Sequence, residues 1–172
     1  MGIYSDEIGH GDAGFAIRNK KARLYNRVGS AKTKGYVGAV DLTHTATETT
    51  GVNEGESSGA LSNVRAAAAG DVLLGNCVVL LEQSLADDAI GYWQAGGEAK
   101  ALVSKNSGNV AVGDPLYVGV SGQVGTLTTD ASAGAARVGV AQEALTAPGD
   151  TGALCTVLFD GEPFRGSHNT TS

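Results

Sequence analysis

The sequence predicts a mainly β protein: a small antiparallel β-barrel or sandwich that carries a long extended N-terminal arm. Three observations predict it. Short apolar runs recur through the second half of the chain, each bounded by Gly, Asp, Asn or Pro turn signals. No window in that half has an apolar stripe at helical spacing. The first 64 residues are polar, rich in Gly and Thr and poor in apolar clusters, so they cannot bury a face alone.

Residues 1–64 read as the arm. Within it Ile17, Leu24 and Val28 fall at spacings that fit one face of a short basic helix, and the Gly-rich flanks fit an extended strand equally well. THTATETT (43–50) and GVNEGESSG (51–59) are low-complexity. The pattern changes at Asp71. DVLLGNCVVLLE (71–82) is a near-continuous apolar run, long enough for one or two buried strands. IGYWQA (90–95), EAKALVSK (98–105) and PLYVGV (115–120) follow, the last leading into Ser121-Gly122, a hairpin-type turn, and then QVGTL. ARVGVAQ (136–142) and ALCTVLFD (153–160) complete a β-domain over 65–162, with a tail over 163–172. Gly113-Asp114-Pro115 reads as a turn that sets the register of the PLYVGV strand, because Gly supplies an unusual φ and Pro is tolerated at a strand's first residue.

Composition limits the chemistry. Of 172 residues 26 are Gly, only 5% are aromatic and 17% charged, which leaves a thin core and favours contact with other subunits over a roomy pocket. No apolar run approaches the roughly 18 residues that cross a bilayer, and MGIYSDEIGHGD has neither the basic nor the apolar part of a signal peptide. Cys77 and Cys155 lie in apolar runs and read as buried, inert thiols. His10, His44 and His168 have no partner at metal spacing. GHGDAG (9–14) has the glycines of a dinucleotide fingerprint but no strand before it and no acid where the ribose needs one. Asp87-Asp88 reads as a solvated turn, and Trp93 as core. The expectation is no catalytic residue, no cofactor and no metal.

Charge supplies the one candidate surface. Residues 18–34 hold seven of the twelve basic residues and no acid, a charge of +7. The other five basic residues stand against eighteen acids, so the remainder carries −13. A basic segment on an acidic body reads as an arm that seeks a negative protein surface. The candidate contact residues are Phe15, Ile17, Arg18, Lys20, Lys21, Arg23, Leu24, Tyr25, Arg27, Val28, Lys32 and Lys34, cations with apolar anchors among them. Scant aromatics and the −13 remainder argue against a nucleic-acid binder.

The stretch from about 66 to 161 resembles the small decoration, or cement, proteins of phage heads. The residues that carry the resemblance are Ala69-Gly70-Asp71-Val72, Gly113-Asp114-Pro115-Leu116-Tyr117-Val118, Gly122 and Val124. They continue with Val138-Gly139-Val140-Ala141, Glu143, Ala147-Pro148-Gly149-Asp150 and Thr156-Val157-Leu158. The resemblance implies a compact β domain on the outer surface of an assembled icosahedral head, often a homotrimer. Its partners would be the major capsid protein and its own copies, with no enzyme activity and no role for nucleic acid or membrane. The long N-terminal part departs from the simplest members of that family. The expected function is therefore a structural head-decoration protein whose arm clamps neighbouring subunits. The alternative is a tail- or fibre-associated β-module that binds a receptor.

Overall fold

The computed structural model describes residues 21–41, 63–68, 77–119, 123–130 and 137–159. Among them the chain forms strands and turns and no helix. The strands follow from period-two burial. In β8 (Gly97–Lys105), Ala99, Ala101 and Val103 turn inward while Glu98, Lys100 and Leu102 turn out. β1 (Lys21–Asn26) buries Leu24 and Asn26 and turns Lys21, Arg23 and Tyr25 outward, so the extended alternative holds there and the helical one does not.

Two five-stranded closed barrels result. The first joins β1, β3 (Val37–Val40), β4 (Asn63–Ala66), β5 (Cys77–Leu80) and β7 (Ile90–Gln94), in the ring order β1-β4-β3-β5-β7. The second joins β8, β9 (Pro115–Val118), β10 (Leu127–Thr128), β11 (Gly139–Ala141) and β12 (Gly149–Phe159), in the order β10-β8-β12-β11-β9. A small ribbon pairs β2 (Lys32–Thr33) with β6 (Ser84–Leu85).

The two rings are the same topology. Naming the strands of each barrel first to fifth in chain order, both run first–third–second–fourth–fifth around the ring. In each the first–third pair is parallel and the other four are antiparallel. The registers also correspond. Asn26↔Val64 maps onto Val103↔Leu127, and Val40↔Val64 onto Val118↔Leu127. Val37↔Val79 maps onto Pro115↔Val140, and Val79↔Gln94 onto Val140↔Leu158. Lys21↔Gln94 maps onto Glu98↔Leu158, which closes the ring with every position keeping one equivalent. Hence Arg23 opposite Tyr92 is equivalent to Lys100 opposite Thr156, and Tyr25 opposite Ile90 to Leu102 opposite Leu154.

The first barrel is filled by Leu24, Val64, Val78, Leu80, Leu85 and Trp93. Trp93 is fully buried and its indole Nε1 donates to the Leu24 carbonyl at 3.2 Å. The second is filled by Val103, Leu116, Leu127, Val157 and Phe159, and Val37, Ala39, Cys77 and Val79 belong to that same buried cluster. β3 and β5 are therefore buried on both faces, one into the first barrel and one against the second. This is why CVVL is a continuous apolar run with no alternation. Two glycines permit the approach. Gly35 has φ +83°, its carbonyl accepts from Leu102 N at 2.8 Å, and a Cβ there would lie 2.5 Å from Leu154 Cδ2. Gly125 has φ +82°, its carbonyl accepts from Val37 N at 2.8 Å, and a Cβ would lie 2.1 Å from the Tyr36 ring.

The expected division near residue 65 falls inside β4, within the first barrel, and the chain passes from one barrel to the other at residues 95–96. Residues 21–40, read as part of an arm, supply β1, β2 and β3. Their apolar content is low because small residues suffice there: a Cβ at Gly38 would meet Val64 and Trp93 inside the first barrel, and Ala39 packs in the cluster of the second. Residues 1–20, both low-complexity stretches, Ser121-Gly122, the three histidines, GHGDAG and the tail 163–172 lie outside the described residues. Gly113 has φ +89°, and Asp114 Oδ2 accepts from Ala111 N at 2.8 Å, which makes the turn before β9. Cys77 and Cys155 are both buried, and no disulfide joins them.

Candidate interaction surface

Of the twelve candidate contact residues, Phe15, Ile17, Arg18 and Lys20 lie outside the described residues. The other eight separate into three environments. Leu24 is buried in the first barrel and Val28 packs against the same cluster, so both hold the fold together and neither is an exposed anchor. Lys32 and Lys34 belong to the β2–β6 ribbon region. The Lys32 ammonium lies 4.9 Å from the centroid of the Tyr36 ring and 2.7 Å from Ser30 Oγ, and Lys34 N donates to the Gln83 carbonyl. Lys21, Arg23, Tyr25 and Arg27 share the outer side of β1 and its extension.

That last group meets β7. In the antiparallel register Arg23 stands opposite Tyr92 and Tyr25 opposite Ile90. The Arg23 guanidinium lies 5.9 Å from the Tyr92 ring centroid, and that of Arg27 5.7 Å from the Tyr25 ring. Tyr92 is 51% exposed and Ile90 41%, although both are large and partly apolar. Arg27 also pairs with Asp88, whose turn (φ +60°) brings its carboxylate to the end of the stripe. Beside it Asp87 Oδ1 accepts from Gly29 N at 3.0 Å, and Glu82 Oε1 accepts from Tyr92 N at 3.0 Å. The Asp87-Asp88 turn is exposed, as the sequence suggests.

Ile90 and Tyr92 were not among the sequence candidates. The signal for them is the Tyr92-Trp93 pair itself: consecutive residues of a strand point to opposite faces, so if Trp93 fills a barrel, Tyr92 faces out.

The equivalent face of the second barrel has another chemistry. Lys100 Nζ lies 2.6 and 2.7 Å from the two carboxylate oxygens of Glu143. Thr156 Oγ1 donates to Glu143 Oε1 at 2.6 Å and Thr156 N to Oε2 at 3.0 Å. The Lys100 hydrogen bond, then those of Thr156, hold the Glu143 carboxyl down at about 2. The cation of this face has a carboxylate partner, where Arg23 has none among the described residues. Behind this face Cys155 is buried, and desolvation pushes its thiol up, away from the reactive thiolate. Among the described residues no group of three or more His, Cys, Asp or Glu could hold a metal ion.

What this arrangement can do chemically is bind. It offers Lys21 and Arg23 without a carboxylate partner among the described residues, two arginine–tyrosine stacks and an exposed isoleucine on a closed sheet. No family model and no curated protein matches this chain. Among solved structures, it is similar to the head fiber gp8.5 N base of bacteriophage phi29, at 12% identity and a TM-score of 0.49, the match covering 84% of this chain and 97% of that one.

Proposed function

We propose that the protein is a structural component of a phage head, a decoration or cement protein that binds the outer surface of the assembled capsid and stabilises it, without catalysis. One observation carries the reading. Apart from Ala69–Val72 and Gly122, which lie outside the described residues, the pieces of sequence that resemble the decoration proteins are scattered over 113–158, yet they converge in one barrel. Gly113 N donates to the Ala141 carbonyl and Ala141 N to that of Asp114; Val138 N donates to the Leu116 carbonyl. Val140 pairs with Leu158 in the β11–β12 ladder.

In this reading the protein is present as several copies, most simply a homotrimer, at each site on the head. The basic run 18–34 and the residues before it contact the major capsid protein and neighbouring copies. Many weak contacts on an array make release slow without one strong bond. The test is sedimentation of intact heads with the purified full chain. Saturable co-sedimentation at a fixed copy number per capsomer is expected, with threefold density on a reconstruction of the decorated head. Heads that pellet without the protein at every concentration would overturn the reading.

A further inference from the structure

We infer that the outer face of β1 and β7 is the docking surface, and that its occupant is a carboxylate-bearing protein surface. The inference rests on the head-binding role above and names where and how that binding occurs.

The chain contains its own control. The two barrels share ring order and register, so each outward position of β1 and β7 has an equivalent on β8 and β12. Arg23 and Tyr92 correspond to Lys100 and Thr156, and the second barrel closes with those residues just as well. The barrel therefore does not require an exposed arginine–tyrosine pair at this place. Lys100 is held by Glu143, which Thr156 holds in turn, so that face satisfies itself. Arg23 and Lys21 have no carboxylate partner among the described residues, and Tyr92 and Ile90 stay exposed at 51% and 41%. One apolar position is common to both faces: Ile90 is equivalent to Leu154, which is 43% exposed. What distinguishes the β1–β7 face is Arg23, stacked on tyrosine with no carboxylate partner among the described residues. Arg and Tyr are enriched among residues that dominate binding energy at interfaces, where the aromatic ring and the flat guanidinium can be desolvated together. A carboxylate, like a phosphate, accepts a guanidinium fork while leaving its stack on the ring intact.

The same geometry disfavours a phosphate backbone. Asp87, Asp88 and Glu82 flank the stripe and would repel a continuous polyanion. The guanidinium of Arg23 sits over the ring of Tyr92, and that of Arg27 over Tyr25, which covers faces on which bases would stack. Ile90 adds an apolar contact that discrete carboxylates on a protein can surround.

The experiment compares full-length wild type, Arg23→Glu, Tyr92→Ala and the milder Arg23→Gln in binding intact heads across a salt series. Circular dichroism checks that each variant is folded. Arg23→Glu should weaken binding by at least tenfold at low salt and flatten its salt dependence, and Tyr92→Ala should weaken it at all salts. Lys105→Glu, far along β8 with its ammonium on the Asn109 carbonyl, should bind as wild type. If Arg23→Glu does not fold, Arg23→Gln reads the same loss to a smaller extent. Variants that are folded and bind as tightly as a wild type that itself binds heads would overturn this inference and leave the head-binding role standing. A wild type that does not bind heads overturns that role instead. Retention of wild type on duplex DNA, lost in Arg23→Glu while head binding persists, would overturn the inference in favour of nucleic acid.

Discussion

Gly125 and Gly113 both adopt positive φ, and their surroundings separate two reasons for a glycine. At Gly113 nothing lies within 4 Å of an added Cβ, so Gly113→Ala should lose only the backbone strain, about 1–2 kcal/mol. At Gly125 the Cβ would enter the Tyr36 ring, so Gly125→Ala should lose more, about 3 kcal/mol, by strain and displacement together. Urea unfolding of the two variants checks the order; equal losses would mean that Tyr36 moves aside freely. Glu143 makes a second prediction at this scale. Its carboxyl is held at about 2, below its ordinary value of 4.5, so the native state favours the ionised form. The stability it contributes is present above about pH 4.5 and is lost as pH falls from there towards 2. Glu143→Gln should show a shallower loss of thermal stability over that window than wild type; parallel curves would refute it. Neither effect could be read from the sequence. Gly125 is one of 26 glycines, and Glu143 lies 43 residues from Lys100.

At the scale of the element, legibility tracked side-chain size. β7, β8, β9, β11 and most of β12 fall where Val, Leu and Tyr alternate between turn residues, and the sequence marks them. β3, with its VGAV, and β4, with NVRA, do not stand out, because each is four residues long and Gly, Ala, Asn and Arg carry no strand signal. β1 was ambiguous because Ile17, Leu24 and Val28 allow a helical face; its fate was decided by pairing with β7, a partner about 65 residues away that local pattern cannot reveal. Trp93 on β7 joins these two strands through its bond to Leu24. Trp93→Phe should lose that hydrogen bond and part of the packing, about 2 kcal/mol, seen as a lower urea midpoint with unchanged slope. An unchanged midpoint would mean that the indole N–H adds nothing to the closure of the first barrel.

For the whole molecule, the shared cluster of Val37, Ala39, Cys77 and Val79 with the second barrel predicts one cooperative unfolding transition. Trp93 is the single tryptophan and lies in the first barrel, so its fluorescence reports that barrel while far-ultraviolet circular dichroism reports both. The two curves should coincide in urea; separated midpoints would show that the barrels unfold independently. A fragment beginning near residue 65 lacks β1 and β3, leaves β5 and β7 paired only with each other in an open first ring, and should be less stable than the full chain. The repeated ring order was not legible either. Equivalent positions carry unlike residues, such as Trp93 and Val157 or Tyr92 and Thr156, so only strand pairing exposes the repeat.

The closing ladders have a consequence in time. β1 pairs with β7, and β8 with β12, so in each barrel the first strand made waits for the last. A ribosome that has released β1 must add some 65 more residues before its antiparallel neighbour exists. During that interval Leu24 has no finished interior to enter, and neither half can shut early around a partial core. Nascent chains arrested before β7 has emerged should therefore be cut readily by protease, while chains arrested beyond β12 should resist. Early resistance would show that the first barrel can hold together without its final strand.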